Sequence, residues 1–393
     1  MLAVIGGTLI TPEREAPAQT LLIEGGKIAA RGPAAEMALP EGADTLDATG
    51  AYVVPGFVDV HVHGGGGADF MDATPEAART VCRYHATGGS TSLLATTASA
   101  PFENLIAALD VAARVKREGS GGAAILGVHL EGPYFAPARH GCHLPGEVRP
   151  PRAEEYLPLL DAHPGLVRWM TLAPEVPGAL ELLAALRQRG AVGAAGHSDA
   201  TESEILAALD AGLSHATHLY CAMSTISKQG PHRIPGLLET ALASDRLTTE
   251  VIADGRHLAP ALLTIAARAK GAGRLLLVTD AMRGAGMPDG VYAFGPPNGS
   301  PAIVEGGVAR TPDNTGFASS TARACDLVRN MVSLAGCTLP DAVRMASLTP
   351  CEALGMAGRK GRLRRGYDAD LVLLESDLSV RATVAGGQVV YQA

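Results

Sequence analysis

His61 and His63 close the stretch Pro55-Gly56-Phe57-Val58-Asp59-Val60-His61-Val62-His63, and four glycines, Gly64 to Gly67, follow. Apolar residues at 57, 58, 60 and 62 predict a buried strand. Side chains two apart on a strand share a face, so both imidazoles point the same way. Two imidazoles at a strand end make half of a metal site, and the glycines let the backbone turn sharply above it. Four further groups fall at the ends of predicted strands. They are Glu131 in His129-Leu130-Glu131-Gly132-Pro133-Tyr134, His197 in Gly196-His197-Ser198-Asp199, His218 in Thr217-His218-Leu219-Tyr220, and Asp280 in Val278-Thr279-Asp280-Ala281. One histidine at a strand end means little. Several histidines and two carboxylates meeting on one rim point to a divalent cation with an acid–base partner.

Each group has a chemical part in that arrangement. Glu131, His197 and His218 supply one carboxylate and two imidazoles, a donor set that suits Zn²⁺ or Fe²⁺ with a position left open for water. His61 and His63 could hold a second ion, with Glu131 shared, so one or two ions per chain are expected. Asp280 would take the proton from an activated water and return it to a leaving group. His143 could polarise a carbonyl or steady an oxyanion. His129, two residues deeper than Glu131 on the same face, reads as a support beside the ligands. His85, His140, His163 and His215 read as structural.

The elements that must carry these residues alternate. Strands are predicted at Phe57 to His63, Ser90 to Thr96, Ala123 to Glu131, Val167 to Ala173, Ala191 to His197, Ser214 to Leu219, Thr249 to Ala253 and Leu275 to Asp280. Helices are predicted between them at Pro75 to Thr87, Pro101 to Lys116, Gly178 to Arg189, Thr201 to Ala211 and Pro260 to Ala269. Such alternation implies parallel strands with helical crossovers, and eight strands suggest a closed (β/α)₈ TIM barrel, whose sites lie at the C-terminal strand ends. An open doubly wound sheet is the runner-up, but its glycine fingerprint is not convincing here. Residues about 283 to 318 read as a long loop or hairpin, and two helices, roughly Ser320 to Ala335 and Pro340 to Leu354, lead onward. Both chain ends read as β. Leu21-Leu22-Ile23 and Ile28 flank a Gly25-Gly26 turn, and the segment 382–390 folds about Gly386-Gly387. A small β domain built from residues 1–52 and 361–393, beside a barrel of residues 53–360, follows from this.

Composition narrows the partners. The net charge is −8 with a pI near 5.8 and no basic tail, against a nucleic-acid binder. No apolar run approaches the roughly 20 residues of a membrane span, and the opening Leu2-Ala3-Val4-Ile5 lacks a basic leader. The six cysteines are scattered without a CxxC. Free thiols and a cytoplasmic setting are therefore expected.

The phrases HLEGPY (129–134), GHSDAT (196–201), THLYCAM (217–223), ADGRH (253–257) and VTDAM (278–282) together resemble the amidohydrolase superfamily and, within it, the N-acetylglucosamine-6-phosphate deacetylases. The resemblance implies a metal-bearing barrel beside a β-sandwich made of both termini. It also implies hydrolysis of the N-acetyl group of an amino-sugar phosphate, a small-molecule substrate, and a homodimer. Metal ligands then match Glu131, His197 and His218, with Asp280 as the catalytic aspartate. Substrate contacts match Cys142, His143, the backbone at Cys221 and Ala222, Arg233, Asp254, His257 and the segment Phe317-Ala318-Ser319, with Arg233 or its neighbours reaching across the dimer. The family usually has asparagine where Cys221 stands, the loop from Ser224 to Pro235 looks longer than usual, and Phe317-Ala318-Ser319-Ser320 departs from the usual phrase. These departures leave open N-acetylgalactosamine 6-phosphate, an unphosphorylated amino sugar or an N-acyl amino acid as substrate. A non-catalytic scaffold has no use for a complete ligand set with Asp280.

Overall fold

The computed structural model describes residues 1–11 and 14–393. Among the described residues, eight parallel strands form the central sheet: β1 (Phe57–Val62), β2 (Ser90–Thr97), β3 (Ala124–Glu131), β4 (Val167–Leu172), β5 (Val192–Ala195), β6 (Leu213–Ala216), β7 (Thr248–Val251) and β8 (Leu275–Leu277), neighbours in that order. Parallel strands are covered on both faces, so they read as near-continuous small or apolar runs. Every residue of β1 and β2 is buried. The ring closes just past β8, where Asp280 N–H donates to His61 O at 2.8 Å and His63 N–H to Ala281 O at 2.9 Å. The fold is a (β/α)₈ barrel. Its interior is filled by Val58, Val60, Leu94, Trp169, Leu276 and Val278.

Helices at Pro75–Ala86, Phe102–Glu118, Ala179–Gln188, Glu202–Ala211 and Pro260–Lys270 pack outside the strands where the alternation predicted them. Their starts follow local chemistry. Thr74 caps Ala77 N–H ahead of Pro75, and Thr201 forms a reciprocal capping box with Glu204. Two helices that the pattern did not suggest, Ala153–Asp161 and Leu237–Ala243, complete the outer layer. The expected pair of late helices is three: Ala324–Ser333, Leu339–Ala346 and Leu348–Ala353. The Gly- and Pro-rich segment beyond β8 holds an antiparallel three-stranded sheet, Gly290–Ala293, Pro301–Glu305 and Val308–Arg310.

Both chain ends meet in one mixed sheet. Its order is 388–392, 380–385, 371–374, 52–55, 2–10, 15–24, 27–33, with 44–47 parallel to 2–5. It has its own core of Val4, Leu21, Ile23, Val53, Leu371 and Val384. The segment 52–55 runs directly into β1, and Gly56 N–H donates to Asp370 O at 2.9 Å, so the terminal sheet is anchored at the barrel's lower rim. Buried beside that anchor, the Lys360 ammonium bonds Asp370 and, at 3.2 Å, the hydroxyl of Ser92 in β2.

Candidate active site

The opposite rim carries the polar cluster. Its centre is Glu131, the last residue of β3, with 2% exposure. Oε1 lies 3.2 Å from Nε2 of His61, 3.3 Å from Nε2 of His197 and 3.2 Å from Nε2 of His218. Oε2 lies 3.1 Å from Nε2 of His63 and 3.0 Å from Nε2 of His143. Asp280 faces the same space from beyond β8, its Oδ1 3.4 Å from His61 Nε2 and 3.2 Å from His63 Nε2. The cluster opens into a cavity of about 550 Å³, within the roughly 300–1,000 Å³ of small-molecule sites.

Backbone geometry aims these groups. His197, His218 and Asp280 each sit at positive φ (50°, 23° and 46°). L-residues adopt this conformation at a cost, and it is concentrated at functional sites. Phe135 stacks on His197 with 4.1 Å between centroids, and Phe294 meets the edges of His63 and His143.

Hydrogen bonds fix which nitrogens are free. His197 Nδ1 is 2.7 Å from Arg139 O, an acceptor only, so the proton is on Nδ1 and Nε2 presents a lone pair. His61 Nδ1 is 2.7 Å from Glu250 Oε1, so in the neutral ring that a ligand requires the proton is on Nδ1 and Nε2 is the ligand atom. Nε2 of His61 and both nitrogens of His63 are buried without a hydrogen bond. Nε2 of His197 and Nε2 of His218 are 3.1 Å apart. Around an ion held by ligands at about 2.0 Å in a tetrahedron, neighbouring donor atoms lie roughly 3.3 Å apart. Separations of 3.1–3.4 Å among these atoms fit that requirement. The donor set therefore fits a divalent cation. His61, His63 and Asp280 form one group able to hold an ion, and Glu131, His143 and His197 form another. His218, not in that group but with Nε2 3.2 Å from Glu131 Oε1 and 3.1 Å from His197 Nε2, is a better ligand beside them than His143. Ser99 N–H donates to His143 Nδ1 at 3.0 Å, which leaves the proton on Nε2 and makes that atom a hydrogen-bond donor.

The charges follow the same geometry. Burial opposes a charged His61, but Glu131, Asp280 and Glu250 outweigh it and hold its pKa well above the ordinary value. Burial likewise opposes charge on His63, and the Asp280 and Glu131 carboxylates beside its Nε2 carry it to about 9. Burial raises the Asp280 carboxyl, yet His61 and His63 bring it down to about 2. At His143 burial wins: Glu131 offsets it only in part, the pKa falls to about 4, and the ring is neutral near pH 7.

The substrate-contact expectations divide. Cys142, Cys221, Ala222, His257, Phe317 and Ser319 line the cavity. Ser319 also donates to Asp280 Oδ1 at 3.0 Å. Asp254 stands behind His257, bonded to its Nδ1 at 2.8 Å. Ala318 is buried, with its N–H on Ala309 O. Cys221 N–H is already committed to His218 O at 3.0 Å, so it is not the free donor that an anion would need. Arg233 is not brought to the cavity within this chain. It lies exposed on the hairpin Ser227–Gln229/His232–Ile234, with Nη1 3.4 Å from Pro231 O. Arg139, which the sequence did not single out, lines the cavity and pairs with Asp199 at 2.6 Å.

The reading from sequence also missed Glu250. Glu250 is fully buried in β7 and contacts His61, His215 at 3.1 Å and His218 N–H at 3.1 Å. A lone carboxylate inside an apolar parallel strand was the available signal, because such a group needs partners. His129 does sit beside the ligands, with Nδ1 3.1 Å from Val60 O and Nε2 2.8 Å from Thr171 Oγ1.

Comparison with known proteins agrees with this geometry. The Amidohydrolase family model matches residues 52–390. The chain is 38% identical to the N-acetylglucosamine-6-phosphate deacetylase of Bacillus subtilis over 87% of this chain and 85% of that protein. It is also 38% identical to the N-acetylgalactosamine-6-phosphate deacetylase of Escherichia coli O157:H7 over 97% of both. The crystal structure of N-acetyl-D-glucosamine-6-phosphate deacetylase from Mycobacterium smegmatis superposes with a TM-score of 0.90 at 38% identity, covering all of both chains. The chain belongs to the amidohydrolase family, in the group that holds the N-acetylglucosamine-6-phosphate deacetylases.

Proposed function

We propose that this chain is a metal-dependent deacetylase of N-acetylhexosamine 6-phosphates, with N-acetylglucosamine 6-phosphate as its main substrate and glucosamine 6-phosphate and acetate as products. The observation that carries the reading is Glu131 ringed by the Nε2 atoms of His61, His63, His197 and His218, with Asp280 opposite, on the floor of one cavity. Glu131, His197 and His218 would hold one ion and His61 and His63 a second, with Zn²⁺ the best match to nitrogen-rich donors and Fe²⁺ the alternative. A bound divalent cation supplies Lewis acidity, which brings the deprotonation of water into the neutral range.

The chain's own residues do the rest. Asp280 accepts a proton from the attacking water as the oxygen bonds to the acetyl carbon. It then delivers that proton to the amine nitrogen as the C–N bond breaks. His143, neutral with its proton on Nε2, donates to the carbonyl oxygen as charge develops there. His257, held by Asp254, steadies the sugar. We place the phosphate toward the outer cavity wall, near Ala222. In a homodimer, the exposed hairpin carrying Arg233 would complete that end from the partner. The six cysteines form no disulfide, which suits a cytoplasmic protein, and no described helix is long and apolar enough to cross a membrane.

A second reading, deacetylation of N-acetylgalactosamine 6-phosphate, is favoured by the 38% identity to the galactosamine relative over 97% of both chains. Acetate release from N-acetylglucosamine 6-phosphate, its galactosamine epimer and unphosphorylated N-acetylglucosamine, on protein of known metal content, tests both. Turnover of the glucosamine phosphate above the others is expected. Failure on both phosphates with metal bound would reject the substrate.

A further inference from the structure

Glu250 sits inside β7 in the run Thr249-Glu250-Val251-Ile252, a lone carboxylate in a buried strand. Its surroundings show what it does. Oε1 accepts two N–H groups, Nδ1–H of His61 at 2.7 Å and the main-chain N–H of His218 at 3.1 Å. A main-chain N–H can only donate, so Oε1 accepts it, and a carboxyl set between the imidazoles of His61 and His215 is ionised and accepts from both. The imidazole proton of His61 must then sit on Nδ1. To act as a ligand the ring must be neutral, with one proton, and Nε2 of His61 is then the lone pair. This is the atom that lies 3.2 Å from Glu131 and makes no hydrogen bond.

The carboxylate is itself held from behind. Oε2 faces Nε2 of His215 at 3.1 Å, and Nδ1 of His215 lies 2.7 Å from the Thr248 hydroxyl. The main-chain oxygen of Glu250 accepts Leu219 N–H at 2.8 Å. Glu250 therefore grips the strained turn at His218, where φ is 23°, through both its side chain and its backbone.

We propose that Glu250 is a positioning residue of the metal centre. It fixes the tautomer of His61, raises the basicity of that imidazole, and holds His218 in register, so that one carboxylate in β7 sets two candidate ligands from β1 and beyond β6. Carboxylate partners of this kind orient and tune metal-binding imidazoles, and their loss weakens metal binding by about 10- to 100-fold. The proposal rests on the metal-dependent reading above, though not on the identity of the substrate.

The test is zinc affinity of the full-length protein, stripped of metal, by competition with a chromophoric chelator. Glu250→Gln is the informative variant. Its amide oxygen keeps both donors, and its NH₂ group can donate to Nε2 of His215 once that ring moves its proton toward Thr248, so every buried bond survives. Only the charge is lost, and zinc affinity is expected to fall about tenfold. Glu250→Leu removes the acceptor as well, and a loss of about a hundredfold is expected, with an altered visible spectrum of the cobalt-substituted protein. Wild-type zinc affinity in Glu250→Gln overturns the proposal, whether or not Glu250→Leu folds. A lowered melting temperature with unchanged zinc affinity marks a merely structural role and overturns it too. The two readings fail separately. Weakened zinc binding in the variants supports the role of Glu250 even where no acetate is released, whereas a wild-type chain that binds no zinc defeats both.

Discussion

Replacing Asp280 by asparagine separates chemistry from architecture at this site. Asp280 sits at φ 46° and accepts the Ser319 hydroxyl at 3.0 Å. Asparagine is among the residues that tolerate this conformation, has the same shape, and offers the same oxygen to Ser319. What it lacks is the charge and the ability to take a proton. Positioned general bases contribute about 10²- to 10⁴-fold. The expected fall in kcat is therefore about 10²- to 10⁴-fold, a barrier higher by about 2.8–5.6 kcal/mol at about 1.4 kcal/mol per decade. KM should change little, because the sugar and phosphate contacts lie elsewhere in the cavity. The assay is steady-state acetate release from N-acetylglucosamine 6-phosphate, with metal content and melting temperature measured on the same sample. Asp280→Ala is the comparator: it removes the carboxylate while Ser319 keeps the main-chain oxygen of residue 280 as acceptor, and it costs about 1–2 kcal/mol of backbone strain as well. If Asp280→Asn keeps kcat within about tenfold of wild type at equal metal content, a general base at this position is refuted.

Metal binding should be coupled to protons. His63 has a pKa raised to about 9 by its carboxylate neighbours and must be neutral to act as a ligand, so binding at pH 7 releases a proton and affinity climbs as pH rises toward 9. Calorimetry in two buffers of different ionisation enthalpy should give different apparent heats, and equal heats would contradict the assignment. Lys360→Met should destabilise the fold by about 3–5 kcal/mol, because Asp370 is left buried without its ammonium. Chemical denaturation of Lys360→Met beside the Lys360→Met/Asp370→Asn pair checks this, and a single variant as stable as wild type would be inconsistent with it. Gly64→Ala should lose both stability and activity, since the added Cβ would lie 2.5 Å from Ala68 O and 2.7 Å from Arg283 N, both main-chain atoms that cannot step aside. Normal turnover in that variant would show that the loop after His63 has slack.

Much of this was legible in the sequence because the barrel repeats one simple device. Each strand is a short apolar run, and each reactive residue stands where that run stops. His61, His63, Glu131, His197, His218 and Asp280 were all visible in that way. Glu250 was not, because it lies within its run rather than at the end, and its partners His61 and His215 come from distant parts of the chain. His215 looked contextless for the same reason. Arg233 stands exposed on its hairpin, away from the cavity of its own chain, a position compatible with the expectation that it reaches across a dimer. Backbone hydrogen bonding was equally hidden: only the structure shows that the turn at 218–221 already uses Cys221 N–H.

The seam of the barrel has a consequence for how the protein is made. During synthesis, His61 leaves the ribosome first among the ligand candidates and Asp280 last, and the two are neighbours only because β1 closes onto the segment after β8. The strand 52–55 that leads into β1 also waits for 371–374, near the very end of the chain, to cover its open edge. Metal capture is therefore a late step, and a nascent chain carries its histidines unassembled through most of translation. Ribosome-stalled chains that end before Asp280 should retain no tightly bound ion, while chains extended past residue 374 and clear of the exit tunnel should.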